Sequence, residues 1–172
     1  MKKKAGILLL LMLWAAASPA DPVSEFSLPG LDGRQYTLDE YAGKWIIVNY
    51  WATNCPPCVK EIPELQDFNR RHEDTDAVVL GVNYEDVKLS WLKDFIASMK
   101  MSYPVLLTKP DTVTPFGPIV MLPTTFIVSP QGKLMGQQRG AITAQMLDKY
   151  LDSQKGRVQH TAAKGPSGGG AP

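Results

Sequence analysis

Two cysteines, the chain's only ones, stand together as Cys55-Pro56-Pro57-Cys58, directly after the apolar run Trp45-Ile46-Ile47-Val48-Asn49-Tyr50-Trp51. That run reads as a strand buried on both faces, and the apolar spacing of Val59, Ile62, Leu65 and Phe68 reads as a helix. The dithiol therefore falls where a strand ends and a helix begins. A helix start carries partial positive charge and unsatisfied N–H groups, which favour a thiolate. Cys55, the more exposed of the pair and nearer the helix end, is the expected nucleophile. Cys58, inside the first turn, is the expected resolving thiol. Pro56 and Pro57 fix φ and remove two N–H groups, so the loop is stiff and the sulfurs stay close.

A purely structural bridge is the plainer reading of the pair. A loop this short removes roughly 2 kcal/mol of unfolded-chain entropy, against about 3 for fifteen residues. A chain of 172 residues can also build a core without a staple. Zinc would need further ligands, yet there is no third Cys, and His72 and His160 lie in no ligand pattern. A Cu(I) module built on the two thiolates is a separate alternative.

The N-terminus bears on the compartment. Lys2, Lys3 and Lys4 precede an unbroken apolar stretch of eleven residues, Ile7 to Ala17, followed by the small residues of Ser18-Pro19-Ala20. This pattern predicts a signal peptide over residues 1–20 and export to the periplasm, with an uncleaved anchor facing the periplasm as the alternative. Cleavage would remove three of the 18 Lys and Arg and none of the 17 Asp and Glu, leaving a net charge of −2. Neither nucleic acid nor an acidic membrane surface is implied, and no stable membrane insertion is expected after cleavage. Residues 156–172 are rich in Gly, Ala and Pro and read as a disordered tail. Residues 21–155 form one domain.

Along that domain, Phe26-Ser27-Leu28 and Gln35-Tyr36-Thr37-Leu38 flank a turn-rich linker and predict an N-terminal hairpin. Ala77 to Val82 reads as a second buried strand, and Trp91, Leu92, Phe95, Ile96 and Met99 as an amphipathic helix, with a kink expected at Pro63 in the preceding one. Tyr103 to Leu107 predicts a short strand. Thr124 to Val128 and Lys133 to Gln137 surround Ser129-Pro130-Gln131-Gly132 as a hairpin, and Thr143 caps a last helix. The order gives an α/β fold: a central mixed β-sheet flanked by helices on both faces, with an N-terminal β-hairpin. Lys60 and Glu64 read as a surface i,i+4 pair.

Three blocks in this order, Trp51-Ala52-Thr53 leading into the Cys-Pro-Pro-Cys loop, Val82-Asn83-Tyr84-Glu85, and Leu122-Pro123-Thr124-Thr125-Phe126, together with the Ser129 to Lys133 turn, resemble the TlpA/ResA-like exported thiol–disulfide oxidoreductases of thioredoxin fold. The resemblance covers nearly the whole domain. Asn54 departs from it, since a bulky residue commonly precedes the first Cys there. Asn49 stands where cytoplasmic thioredoxins keep a buried acid, and the resemblance assigns the proton-handling task to Glu85 instead. On residues alone Glu85 with Asp86 reads rather as a solvated acidic helix start, favoured by the dipole. The resemblance also implies a cis bond at Leu122-Pro123, where sequence alone would give trans, with the Leu122 backbone facing substrate and Pro123 excluding metal. Trp51, Pro56 and Pro57 complete the expected substrate-facing set.

The implied activity is reduction of protein disulfides, apocytochrome c among them, through a mixed disulfide, with electrons from a membrane-embedded thiol donor and no cofactor beyond the Cys55–Cys58 pair. A dithiol oxidase working in the opposite direction is the alternative.

Overall fold

The computed structural model describes residue 23 and residues 25–163, with side chains to residue 155. The expected signal segment and residues 164–172 of the expected tail lie outside the described residues. The N-terminal hairpin forms from β1 (Ser27–Pro29) and β2 (Gln35–Thr37), paired antiparallel, and a 3-10 turn follows over Leu38–Tyr41. Then come β3 (Trp45–Trp51), α1 (Pro56–His72), β4 (Ala77–Tyr84), α2 (Leu89–Ser98), β5 (Val105–Thr108), β6 (Thr124–Val128), β7 (Leu134–Arg139) and α3 (Ala144–Ala163). The five later strands make one mixed sheet in the order β5-β4-β3-β6-β7. β4 runs parallel to β3 and β5, whereas β6 runs antiparallel to β3 and β7.

β3 sits at the centre, and all seven of its residues are buried, as its near-continuous apolar run requires. Alternation along the strands then divides the core. Trp45, Ile47, Ala77 and Val79 face α1 and α3, where Leu65, Phe68, Leu147 and Leu151 meet them, and Leu92 of α2 packs with Trp51, Cys58 and Ile62 on the same side. Ile46, Val48, Tyr50, Leu80, Val82 and Phe126 face the other way, toward Phe26, Tyr36 and Leu38. The expectation of helices on both faces is therefore corrected. Two right-handed crossovers that step in one direction, β3 to β4 to β5, put α1 and α2 on one face. The opposite face is covered by the hairpin and by the segment between β5 and β6, whose Phe116 stacks on Phe126 with ring centroids 4.7 Å apart.

Both sheet edges are managed. Gly30 bridges to Leu106, and the Leu31 N–H donates to the Val105 carbonyl at 2.9 Å, so the turn after β1 closes the β5 edge. On the other edge the β6–β7 register shifts between Ile127 and Val128, and the Tyr150 hydroxyl donates to the Met135 carbonyl at 3.0 Å. β5 begins to pair with β4 only at Gly81. The Val79 N–H, before that point, donates to Asn69 Oδ1 at 2.8 Å and so is not orphaned.

α1 continues across Pro63, whose ring nitrogen cannot serve the Val59 carbonyl one turn back. Thr143 caps α3, its Oγ1 accepting the Met146 N–H at 3.2 Å. Glu64 reaches away from the expected pairing with Lys60 and accepts the Ala144 N–H at 3.0 Å, a second tie on the same helix start. α3 runs to Ala163, so 156–163, read as tail from composition, continue the helix as backbone. Composition counted Gly156 as a breaker, but one interior glycine costs only about 1 kcal/mol.

Candidate active site

The dithiol is oxidised, with Cys55 and Cys58 joined and their Cα atoms 5.2 Å apart. Cys55 is the N-cap of α1, extended at φ −106° and ψ 100°, and Pro56 and Pro57 take the first two helical positions. Its carbonyl accepts the Val59 N–H at 3.0 Å, which closes the first turn. Cys55 is half-buried, Cys58 is fully buried at 0% exposure, and both prolines are exposed. An outside thiol or disulfide can reach Cys55 and the prolines beside it; it cannot reach Cys58.

The topology gathers the other expected residues at the same end of the sheet. β3, β4 and β5 end there and antiparallel β6 begins there, which places Glu85 and Pro123 beside the loop. The Leu122-Pro123 bond is cis. Pro123 offers its carbonyl to the Gly140 N–H at 2.9 Å, while Met121 and Val120 before it are exposed. Trp51, expected among the substrate-facing residues, is only 1% exposed and stacks on Phe95 at 5.8 Å. It supports the dithiol from beneath and does not face a substrate; an aromatic closing a fully buried strand is drawn inward by its apolar area.

Glu85 is tied to the loop that leads into Cys55. Oε1 accepts the Thr53 N–H at 2.8 Å and Asn83 Nδ2 at 2.7 Å, and Oε2 accepts the Thr53 hydroxyl at 3.0 Å. A carboxylate with three donors is well suited to hold Thr53, two residues before the nucleophile, in one place. In Glu85→Ala all three of these bonds are lost. Insulin-disulfide reduction should then fall about tenfold through misplacement of the loop.

A second carboxyl, which the sequence reading passed over, shares the buried side of α1 with the resolving Cys58. Glu61 follows Cys58 by three residues on α1, so it shares the buried helix face, and it is 2% exposed. Its Oε1 accepts Asn49 Nδ2 at 2.8 Å and its Oε2 accepts the Ile142 N–H at 2.9 Å. Asn49 also donates to Thr125 Oγ1 at 3.0 Å. Burial pushes the Glu61 carboxyl up to about 7, against the opposing pull of those two hydrogen bonds. The pair Asn49 and Glu61 thus places a near-neutral acid under the dithiol, with the amide on the strand and the acid on the helix. The available signal was spacing: 58, 61, 62, 65 and 68 form one helical stripe, and Glu61 lies in it.

This polar seam runs through otherwise apolar packing. Gly81 is the register partner of Asn49, and a Cβ there would lie 2.8 Å from Tyr103 Cε2 and 3.2 Å from Trp51 Nε1. Only a residue without a side chain lets both rings close over β4. Gly81→Ala should cost about 1–3 kcal/mol, visible as a lowered urea midpoint with an unchanged m-value.

Among the described residues no group of three or more His, Cys, Asp and Glu could hold a metal ion, and no helix is long and apolar enough to cross a membrane. His72 is engaged elsewhere, its ring nitrogens facing Asp76 at 2.8 Å and Asp148 at 3.0 Å.

The model of the AhpC/TSA family matches residues 19–137. Thiol-disulfide oxidoreductase ResA of Geobacillus thermodenitrificans is 28% identical over 140 residues, which cover 81% of this chain and 80% of that protein. A solved DsbF homologue from Corynebacterium diphtheriae superposes with a TM-score of 0.69 at 29% identity, over 77% of this chain and 85% of that one. A thiol:disulfide interchange protein of the thioredoxin family from Chlorobium tepidum superposes with a TM-score of 0.71 at 26% identity, over 80% and 98%.

Proposed function

Since the chain belongs to the AhpC/TSA family and is a thiol–disulfide oxidoreductase carrying a Cys55–Cys58 pair, we propose that it works in the reductive direction on protein disulfides outside the cytoplasm. The observation that carries this direction is the pair of prolines at the first two positions of α1. Strong dithiol oxidants owe their potential to a stabilised reduced form. Here the helix start lacks the N–H groups of Pro56 and Pro57, so the Cys55 thiolate has fewer donors to stabilise it and the disulfide form gains in comparison.

In the proposed cycle the Cys55 thiolate attacks a substrate disulfide. One Cys55–substrate disulfide forms and the substrate's other sulfur leaves as a thiolate. The Cys58 thiol passes its proton to the Glu61 carboxylate, and the Cys58 thiolate attacks Cys55 Sγ. The intramolecular disulfide forms, the second substrate sulfur departs, and two electrons have moved to the substrate. Glu85 holds the loop during both attacks. A groove of about 410 Å³ beside it, lined by Asn83, Glu85, Val87, Leu89, Leu107 and Lys109, gives the substrate chain a mainly apolar place to lie. Pro56, Pro57 and the Leu122-Pro123 backbone face the incoming sulfur.

In an oxidising compartment such a reductant needs a continuous supply of electrons, and a membrane-embedded thiol donor supplies them in this reading. The basic and apolar N-terminal segment supports export, and the resemblance to ResA-like proteins makes heme-site cysteines of apocytochrome c the first substrate to test. The decisive measurement is the reduction potential in glutathione or dithiothreitol buffers. A value below about −220 mV supports reduction, and one near −120 mV overturns it in favour of an oxidase.

A further inference from the structure

Two polar atoms in the seam have no hydrogen-bond partner among the described residues, Trp51 Nε1 and Tyr103 Oη. Trp51 is 1% and Tyr103 3% exposed. Buried donors of this kind are nearly always satisfied, by protein or by ordered water. Both side chains converge on Gly81, and Gly81 lies beside Asn49, whose amide holds Glu61. The Glu61 charge also reaches Tyr103. The phenol is held well above its ordinary range, by desolvation first and by Glu61 second. Two unpartnered donors and the Asn49–Glu61 pair are therefore gathered around Gly81, behind the dithiol.

We propose that the space between these groups holds a single internal water, and that Tyr103 is a positioning residue which acts through it on Glu61. The water accepts from Trp51 Nε1 and from Tyr103 Oη and donates to the Glu61 carboxylate, which meets the two-to-four partners a buried water needs. Glu61 then has three donors in its ionised form: Asn49, the Ile142 N–H and the water. The site stabilises the carboxylate that receives the Cys58 proton. The groups bonded to or packed beside these residues are Cys58 and Glu61 from α1, Asn49 and Trp51 from β3, Thr125 from β6, the Ile142 N–H ahead of α3, and Tyr103 ahead of β5. Gly81 contributes none from β4, and α2 contributes the apolar Leu92. Cys58, Glu61 and Tyr103 are the titratable members of that set.

The inference rests on the proposed role of Glu61 in resolution, and the test separates the two. Reduced protein is mixed with dithionitrobenzoate. Cys55 releases the first thionitrobenzoate and keeps the second as a mixed disulfide, and Cys58 then releases that second equivalent. Its rate against pH reads the resolving step alone, with a leaving group acidic enough not to limit it. Tyr103→Phe removes only the hydroxyl. The expected result is an upward shift of the pH midpoint by about one unit, and so a several-fold slower second release at pH 7, with the first release unchanged. The same substitution in a Glu61→Gln background should add nothing, because its effect passes through Glu61.

A Tyr103→Phe profile that coincides with the parent overturns the water site while leaving Glu61 in place. A Glu61→Gln profile that coincides with the parent overturns the Glu61 role, and the inference with it. Should Tyr103→Phe disturb folding, a high-resolution structure of the unsubstituted protein decides the matter. An ordered water within hydrogen-bond distance of Trp51 Nε1, Tyr103 Oη and a Glu61 oxygen supports the site, and a dry space there overturns it.

Discussion

Cys55→Ser is expected to lower insulin-disulfide reduction by roughly a thousandfold or more, to the uncatalysed rate. The sulfur lost is the only one a substrate can reach, because Cys58 is fully buried beneath it. The complementary change, Cys58→Ser, should leave the first attack intact and remove the second. Cys55 would then hold its substrate in a mixed disulfide that persists until an external thiol cleaves it. The pair of outcomes is asymmetric, and that asymmetry is the check. Non-reducing electrophoresis of extracts should give higher-mass adducts with Cys58→Ser and none with Cys55→Ser. Equal trapping by both variants would reverse or abolish the assignment. Mass spectrometry of the adducts would also name the substrate.

The second large effect concerns Glu61. Its carboxyl titrates near 7 in the folded chain, against 4.5 ordinarily. Because the folded value is raised, the favourable state is the protonated one. Stability from this group is fully present below about pH 4.5 and is lost as pH rises through 7. The difference amounts to about 3 kcal/mol for a group this buried. Urea titrations across that window should therefore show a slope that Glu61→Gln abolishes, leaving the variant the more stable protein at pH 8. The same variant should resolve mixed disulfides at least tenfold more slowly near neutrality, since no other acid lies on the buried face of α1 next to Cys58. Greater stability with poorer turnover is the signature of a group kept for chemistry. A variant that loses both would instead make Glu61 a structural hydrogen-bond hub.

Much of this could be read from the residues. Trp45 to Trp51 declared its two-sided burial by the absence of alternation, and Thr143 declared a helix start by its hydroxyl. What stayed hidden was hidden by neighbours. Lys60, Glu61 and Glu64 look like a solvated charged stretch, because charge masks membership of the buried stripe that Cys58, Ile62 and Leu65 define. Glu64 likewise looked like half of an ordinary surface pair, and its true partner is 80 residues away at the start of α3. No local pattern carries a contact of that range. The placement of both crossover helices on one face was available from strand order and handedness, but strand order is itself a long-range property. The Trp51, Gly81 and Tyr103 cluster joins three segments that share no local pattern.

The closed β5 border has a consequence for behaviour at high concentration. With that flank occupied by the chain's own Gly30 and Leu31, β7 is the sheet's remaining open flank among the described residues. There an irregular register and a tyrosine hydroxyl already spent on a main-chain oxygen stand in the way of an arriving neighbour. Copies crowded together have no clean ribbon to extend, so fibrillar growth is discouraged at both ends of the sheet.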